Sequence, residues 1–315
     1  MFTRLNMPSL DGATGWVNSE PLSLADLRGH VVLVNFWTLT CINWLRQEPY
    51  VRAWSQAYRG DGLVVIGVHT PEFSFEHDIE RVRHATKERA IDYQVAVDSN
   101  YAIWSAFTNH YWPALYFVDG DGLIRDHHFG EGRYEQSERV IQSLLGIERE
   151  LGSVQGVGVE AEADWDNLRT PETYLGYGRG ENFASSDGAK LDQSRRYELP
   201  ERLRLNEWGL TGEWTIGRER VALDQGGGSI AYRFHARDAN LVLFAGSHEQ
   251  IEFRVLLDGD HPGPSHGIDV DSEGRGVLRD GRLYQLVRQA GAVHERLLEI
   301  EFLEPGAEGY VFTCG

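Results

Sequence analysis

The run His30–Trp37, HVVLVNFW, carries one polar side chain after its first residue and shows no alternation. Such a strand has no face to offer water, so it must lie in a sheet covered on both sides. The next segment supplies a cover. Trp44, Leu45, Val51, Trp54 and Tyr58 recur at helical spacing and predict a helix over about residues 41–58. GLVVIGVHT (62–70) and YQVAVD (93–98) predict two further buried strands. Between them, 71–90 reads as a loop and a helix with Phe75, Ile79 and Val82 on one side. SNYAIWSAF (99–107) predicts a short helix capped by Ser99 or Asn100. ALYFVDGDGLIRDHHFG then holds two apolar runs around Asp-Gly turn chemistry, a hairpin signal, and a helix over 134–145 closes the series. The order β-α-β-α-β-α-β-β-α predicts an α/β domain over 1–150, a mixed sheet flanked by helices.

The remainder has a different texture. Residues 151–170 are rich in glycine and acid and read as a linker. From about 171 to 315 short alternating runs separated by Asp-Gly and Gly-Gly signals predict an all-β sandwich, of jelly-roll type. A length of 315 residues is about twice the ~150-residue domain prior, which agrees with two domains. The formal charge of −18 argues against nucleic acid and anionic membranes as partners. No apolar run approaches the ~18 residues of a membrane span, and the first residues lack a signal-peptide core, so a cytoplasmic location is expected.

Metal and cofactor chemistry finds little support. Two cysteines, Cys41 and Cys314, are too few for a thiolate site. His127 and His128 are adjacent, hence on opposite faces of a strand. Asp269 and Asp271 share a strand face and suit either Ca²⁺ or plain solvation. DQGGGS (224–229) opens no helix and cradles no phosphate. No cofactor and no metal are expected.

Three features make a family resemblance specific. FWTLT precedes Cys41 at the strand-to-helix turn, Pro113 stands before a strand in HYWPALYFVD, and Pro49 lies eight residues beyond Cys41 within the helix. This pattern resembles thioredoxin-like proteins of the TlpA and peroxiredoxin (AhpC/TSA-like) kinds. The resemblance implies a cis-proline at 113, packed against the cysteine. CIN after FWT, followed by P-x-V-x-x-W, is similar to the C-terminal region of DipZ-type proteins, as are TPETYLGY, IAYRFHARD and FRVLLDG in the second half. That likeness implies a carbohydrate-binding-like second domain and an extracytoplasmic place. DipZ-type proteins carry a CxxC pair, whereas here Trp44 stands where the second cysteine would be.

One sulfur permits a restricted chemistry. A helix start stabilises a thiolate through unpaired N–H groups and its dipole, Arg46 or Arg52 can add charge, and Thr38 and Thr40 can donate to the sulfur or to a bound oxidant. Thr38 also sits at the offset of the peroxiredoxin threonine. The candidate site is therefore Cys41, Thr38, Thr40, Pro113 and Trp44. Its expected partners are an external thiol reductant and a disulfide or peroxide substrate. The alternative is a redox-inactive scaffold in which Cys41 packs as a small hydrophobe and the sandwich binds a glycan or protein. Trp208, Trp214, Tyr232 and Tyr284 are its candidate aromatics, as sugar platforms or as core. Cys314, in a closing strand, reads as a buried, inert thiol.

Overall fold

All seven residues of the strand Val31–Trp37 are buried. It is the central strand of a seven-stranded mixed sheet in a computed structural model that describes residues 5–186 and 188–315. In chain order the first unit comprises β1 (Leu5–Asn6), β2 (Gly15–Val17), β3 (Val31–Trp37), α1 (Ile42–Tyr58), β4 (Leu63–His69), α2 (Ile79–Glu88), β5 (Gln94–Val97), α3 (Ala102–Ala106), β6 (Ala114–Val118), β7 (Leu123–Phe129) and α4 (Tyr134–Leu145). The sheet order is β1-β7-β6-β3-β4-β5-β2. β3, β4 and β5 run parallel, whereas β6 and β7 return antiparallel through the Asp119–Gly122 turn. Parallel neighbours need crossovers, and the helices after β3 and β4 provide them.

The pleat of β3 sorts its side chains into two layers. Val32, Val34 and Phe36 join Ile66, Val68, Ile103 and Phe107 in an apolar cluster. Asn35 and Trp37 belong to the alternate set, and both meet Trp44 of α1. Pro49 lies within α1 and removes the one rung that would reach the carbonyl of residue 45.

The chain divides into two compact units, Met1–Ala161 and Glu162–Gly315. Of the glycine- and acid-rich stretch, the part up to Ala161 groups with the first unit. Gly152 N–H donates to both carboxylate oxygens of Glu138, and Arg89 pairs with Glu160.

The second unit is an all-antiparallel β-sandwich. Its strands are β8 (Thr173–Tyr174), β9 (Ser194–Tyr197), β10 (Trp208–Ile216), β11 (Val221–Leu223), β12 (Gly228–His235), β13 (Asp238–Phe244), β14 (Ile251–Leu257), β15 (Arg275–Leu278), β16 (Arg282–Arg288), β17 (Glu295–Phe302) and β18 (Glu308–Cys314). β10 serves both layers: residues 208–211 pair with β12, and 212–216 pair with β9 and β11. The change of partner falls at Gly212, whose φ of 93° only glycine adopts without strain. Trp208, Trp214, Tyr232 and Tyr284 are each at most 1% exposed, so all four are core and none offers a face to a sugar. Asp269 takes Arg282 and the Gln285 N–H, and Asp271 takes Arg275. Cys314 is buried in β18 and forms no disulfide.

Candidate active site around Cys41

Cys41 is the N-cap of α1, with an extended backbone (φ −73°, ψ 111°) and no side-chain capping bond. The first N–H groups of α1 therefore open toward it, as at any helix start. The sulfur is half-buried. Its thiol donates to the Trp112 carbonyl at 3.6 Å, and the Trp112–Pro113 peptide is cis. The helix end favours a thiolate and the carbonyl favours the thiol, so the two act in opposition. Two exposed aromatics flank the cis peptide, one at the residue before Trp112 and one opposite Ala114 on β7. Tyr111 and Phe129 are 53% and 38% exposed, with ring centres 4.9 Å apart.

The two threonines give their hydroxyl protons to an acid. The Thr38 hydroxyl donates to Oε2 of Glu76 at 2.7 Å, and the Thr40 hydroxyl and N–H donate to its Oε1 at 2.9 and 3.1 Å. The backbone N–H groups of Glu72 and Phe73 complete the set at 2.6 and 2.9 Å. Glu76 is fully buried. Burial and the nearby Glu72 carboxylate push its pKa up to about 7, while the donors pull it back. Three of the five partners are backbone N–H groups, which can only donate, so the site is built for the carboxylate.

The arginines are likewise engaged elsewhere. Arg46 pairs with Glu131 at 2.9 Å, both nearly buried, and Arg52 pairs with Glu48 and donates to the Arg89 carbonyl.

Trp44 fills the place of a second thiol. It is fully buried and stacks on Trp37 at 4.2 Å, with the Arg89 guanidinium over the ring 5.6 Å from its centre. Its indole N–H donates to Asn35 Oδ1 at 3.3 Å, and Asn35 donates to Gln47 at 2.9 Å. Gln47 in turn donates to the Gly130 carbonyl, and Gly130 N–H donates to the Pro113 carbonyl. A continuous hydrogen-bonded path thus ties the helix that starts at Cys41 to the loop facing it. Asn35 and Gln47 are absent from the sequence-based site. The visible signal is a fully polar residue inside an otherwise apolar strand, which must find a buried partner.

Behind this layer His69 sits edge-on to Trp37 at 4.8 Å, and burial drives its pKa down to about 3, so the ring is neutral. Among the described residues no cluster of three or more His, Cys, Asp or Glu could hold a metal ion, and no helix is long and apolar enough to cross a membrane.

Residues 6–127 match the AhpC/TSA family and residues 170–315 match the thioredoxin-like C-terminal domain family. The chain joins an AhpC/TSA-type thioredoxin-like domain to a thioredoxin-like C-terminal domain. It is similar to Protein DipZ of Mycobacterium bovis and of Mycobacterium tuberculosis, 37% identical over 75% of this chain and 34% of each relative. The chain therefore spans about a third of the length of those relatives. It is also similar to the thiol-disulfide oxidoreductase YkuV of Bacillus subtilis, 29% identical over 46% of this chain and 97% of that one. A solved thioredoxin-like protein in its oxidised form is 30% identical, covering 47% of this chain and all of that one, with a TM-score of 0.43. This thioredoxin-like chain thus has thiol-disulfide oxidoreductases among its relatives.

Proposed function

We propose that this protein is a monothiol-disulfide exchange enzyme with Cys41 as its nucleophile and Pro113 shaping the groove in front of it. The observation that carries the reading is the half-buried sulfur at an open helix start, 3.6 Å from the carbonyl preceding Pro113. The Cys41 thiolate attacks one sulfur of a substrate disulfide. A Cys41–S–S–R bond forms, the substrate S–S bond breaks, and the second substrate sulfur leaves as a thiolate that takes a proton from water. Trp44 supplies no second attack, so an external thiolate resolves the adduct, taking the R–S group and restoring the Cys41 thiolate. Tyr111 and Phe129, on either side of the Trp112–Pro113 peptide along the chain and the β6–β7 ladder, offer a polypeptide disulfide an apolar surface.

Disulfide exchange is favoured over peroxide reduction because the Thr38 hydroxyl proton is spent on Glu76. Incubation with oxidised glutathione, followed by mass spectrometry, tests the reading. A single mixed disulfide is expected at Cys41, abolished by Cys41→Ser and unaffected by Cys314→Ser. A native protein that forms no adduct with glutathione disulfide, or becomes sulfenylated by peroxide without exchanging, overturns it.

A further inference from the structure

Glu76 has no place in the exchange chemistry, yet it is the most heavily hydrogen-bonded side chain beside the candidate site. It lies in the loop between β4 and α2, and two of its five bonds stay within that loop, to the Glu72 and Phe73 N–H groups. The other three cross to the turn that ends at Cys41, through Thr38 and Thr40. That turn is short. Cys41 N–H reaches back to the Thr38 carbonyl at 3.4 Å, and α1 begins at the next residue. Fixing Thr38 and Thr40 therefore fixes where the sulfur lies against the helix start.

We infer that Glu76 is the positioning residue for Cys41, clamping the 38–40 turn so that the sulfur stays at the N-terminus of α1. The inference rests on the reading of Cys41 as the nucleophile, and the carboxylate acts only through the turn. Two conservative substitutions separate reach from charge. Glu76→Asp keeps the charge and is one methylene shorter. It can still serve its own loop but cannot span to Thr38 and Thr40. Glu76→Gln keeps the reach. With its oxygen toward Glu72, Phe73 and Thr38, its amide can donate to the Thr40 hydroxyl, and only the Thr40 N–H is stranded.

The test combines the pH dependence of Cys41 alkylation by iodoacetamide with amide hydrogen exchange at Thr40 in the full chain. In Glu76→Asp the Thr40 amide should exchange about tenfold faster or more, and the alkylation midpoint should rise by roughly one pH unit as the sulfur shifts from the helix start. Glu76→Gln should recover most of the wild-type alkylation profile. If Asp leaves the Thr40 amide as protected as in wild type, or speeds its exchange without moving the alkylation profile, the positioning role is overturned. A Gln variant displaced further than Asp would mean that charge, and not reach, is what matters, and overturns it too. A wild-type Cys41 that is inert at every pH defeats the nucleophile reading, while Thr40 exchange still decides whether Glu76 holds the turn. Should Glu76→Asp fail to fold, Thr38→Val with Thr40→Val removes two of the donors, leaves the carboxylate, and should raise the midpoint in the same way.

Discussion

Glu48 shows what burial does to a single acid. Both its oxygens are buried without a hydrogen bond among the described residues, and its ion pair to Arg52 Nε is long at 3.4 Å. Burial outweighs Arg52 and Arg89 and raises its pKa to about 7. The unfolded chain holds this carboxyl near 4.5, so from about pH 4.5 to about 7 the folded state binds the extra proton. Stability contributed at this position is therefore greatest below the unfolded value and is lost as pH rises toward 7. Glu48→Gln should match wild type near pH 4.5 and exceed it at pH 8, by on the order of 1–3 kcal/mol. Urea unfolding at both pH values measures the difference, and a Gln variant less stable than wild type at pH 8 contradicts the assignment. Sequence reading has a mixed success at this scale. Cys41 is legible because an apolar run, a short turn and a helical pattern meet there. The acceptor of Thr38 and Thr40 is not, because it lies 36 to 38 residues downstream. The clue is an acid three residues after Phe73, which is itself buried, on the same short turn.

At the scale of the element, α1 is readable from its spacing but its commitments are not. Periodicity says which face is buried and nothing about which acid an arginine will find. Nearness in sequence puts Arg46 and Arg52 at the sulfur, when their partners are Glu131 and Glu48. Under the exchange reading, the same helix sets the chemistry through Trp44. Trp44→Cys would open the volume of a stacked indole and remove its bond to Asn35, which should cost about 3 kcal/mol or more. It would also place a second thiol one turn from Cys41. A mixed disulfide at Cys41 should then resolve internally, because an intramolecular thiol acts at an effective concentration of order mM or higher. The measured outcome is the lifetime of the glutathione adduct without added reductant: long in wild type, at least tenfold shorter in the variant. Equal lifetimes would mean that position 44 does not control resolution.

For the whole molecule, composition and packing disagree about where the first unit ends. Glycine and acid between 151 and 161 carry the signature of a linker, since neither residue type demands burial. The fold uses them all the same. Glu138 is buried in α4 and also accepts from Tyr58, and Gly152 N–H supplies two further contacts to its oxygens. The single turn Gly158–Glu160 packs on α1, with Gly158 buried and Glu160 reaching Arg89 at 3.4 Å. That ion pair is partly exposed and contributes little, so the weight falls on the Glu138 donor and the covered helix. A fragment ending at 161 should fold with a cooperative transition. One ending at 150 should be weaker by about 1–2 kcal/mol, since a buried acceptor loses a partner. For a domain of this size that lowers the melting temperature by roughly 2–8 °C. Calorimetry of the two fragments decides the boundary. Melting points within a degree of each other would show that 151–161 adds nothing and that the stretch is the tether its composition suggests.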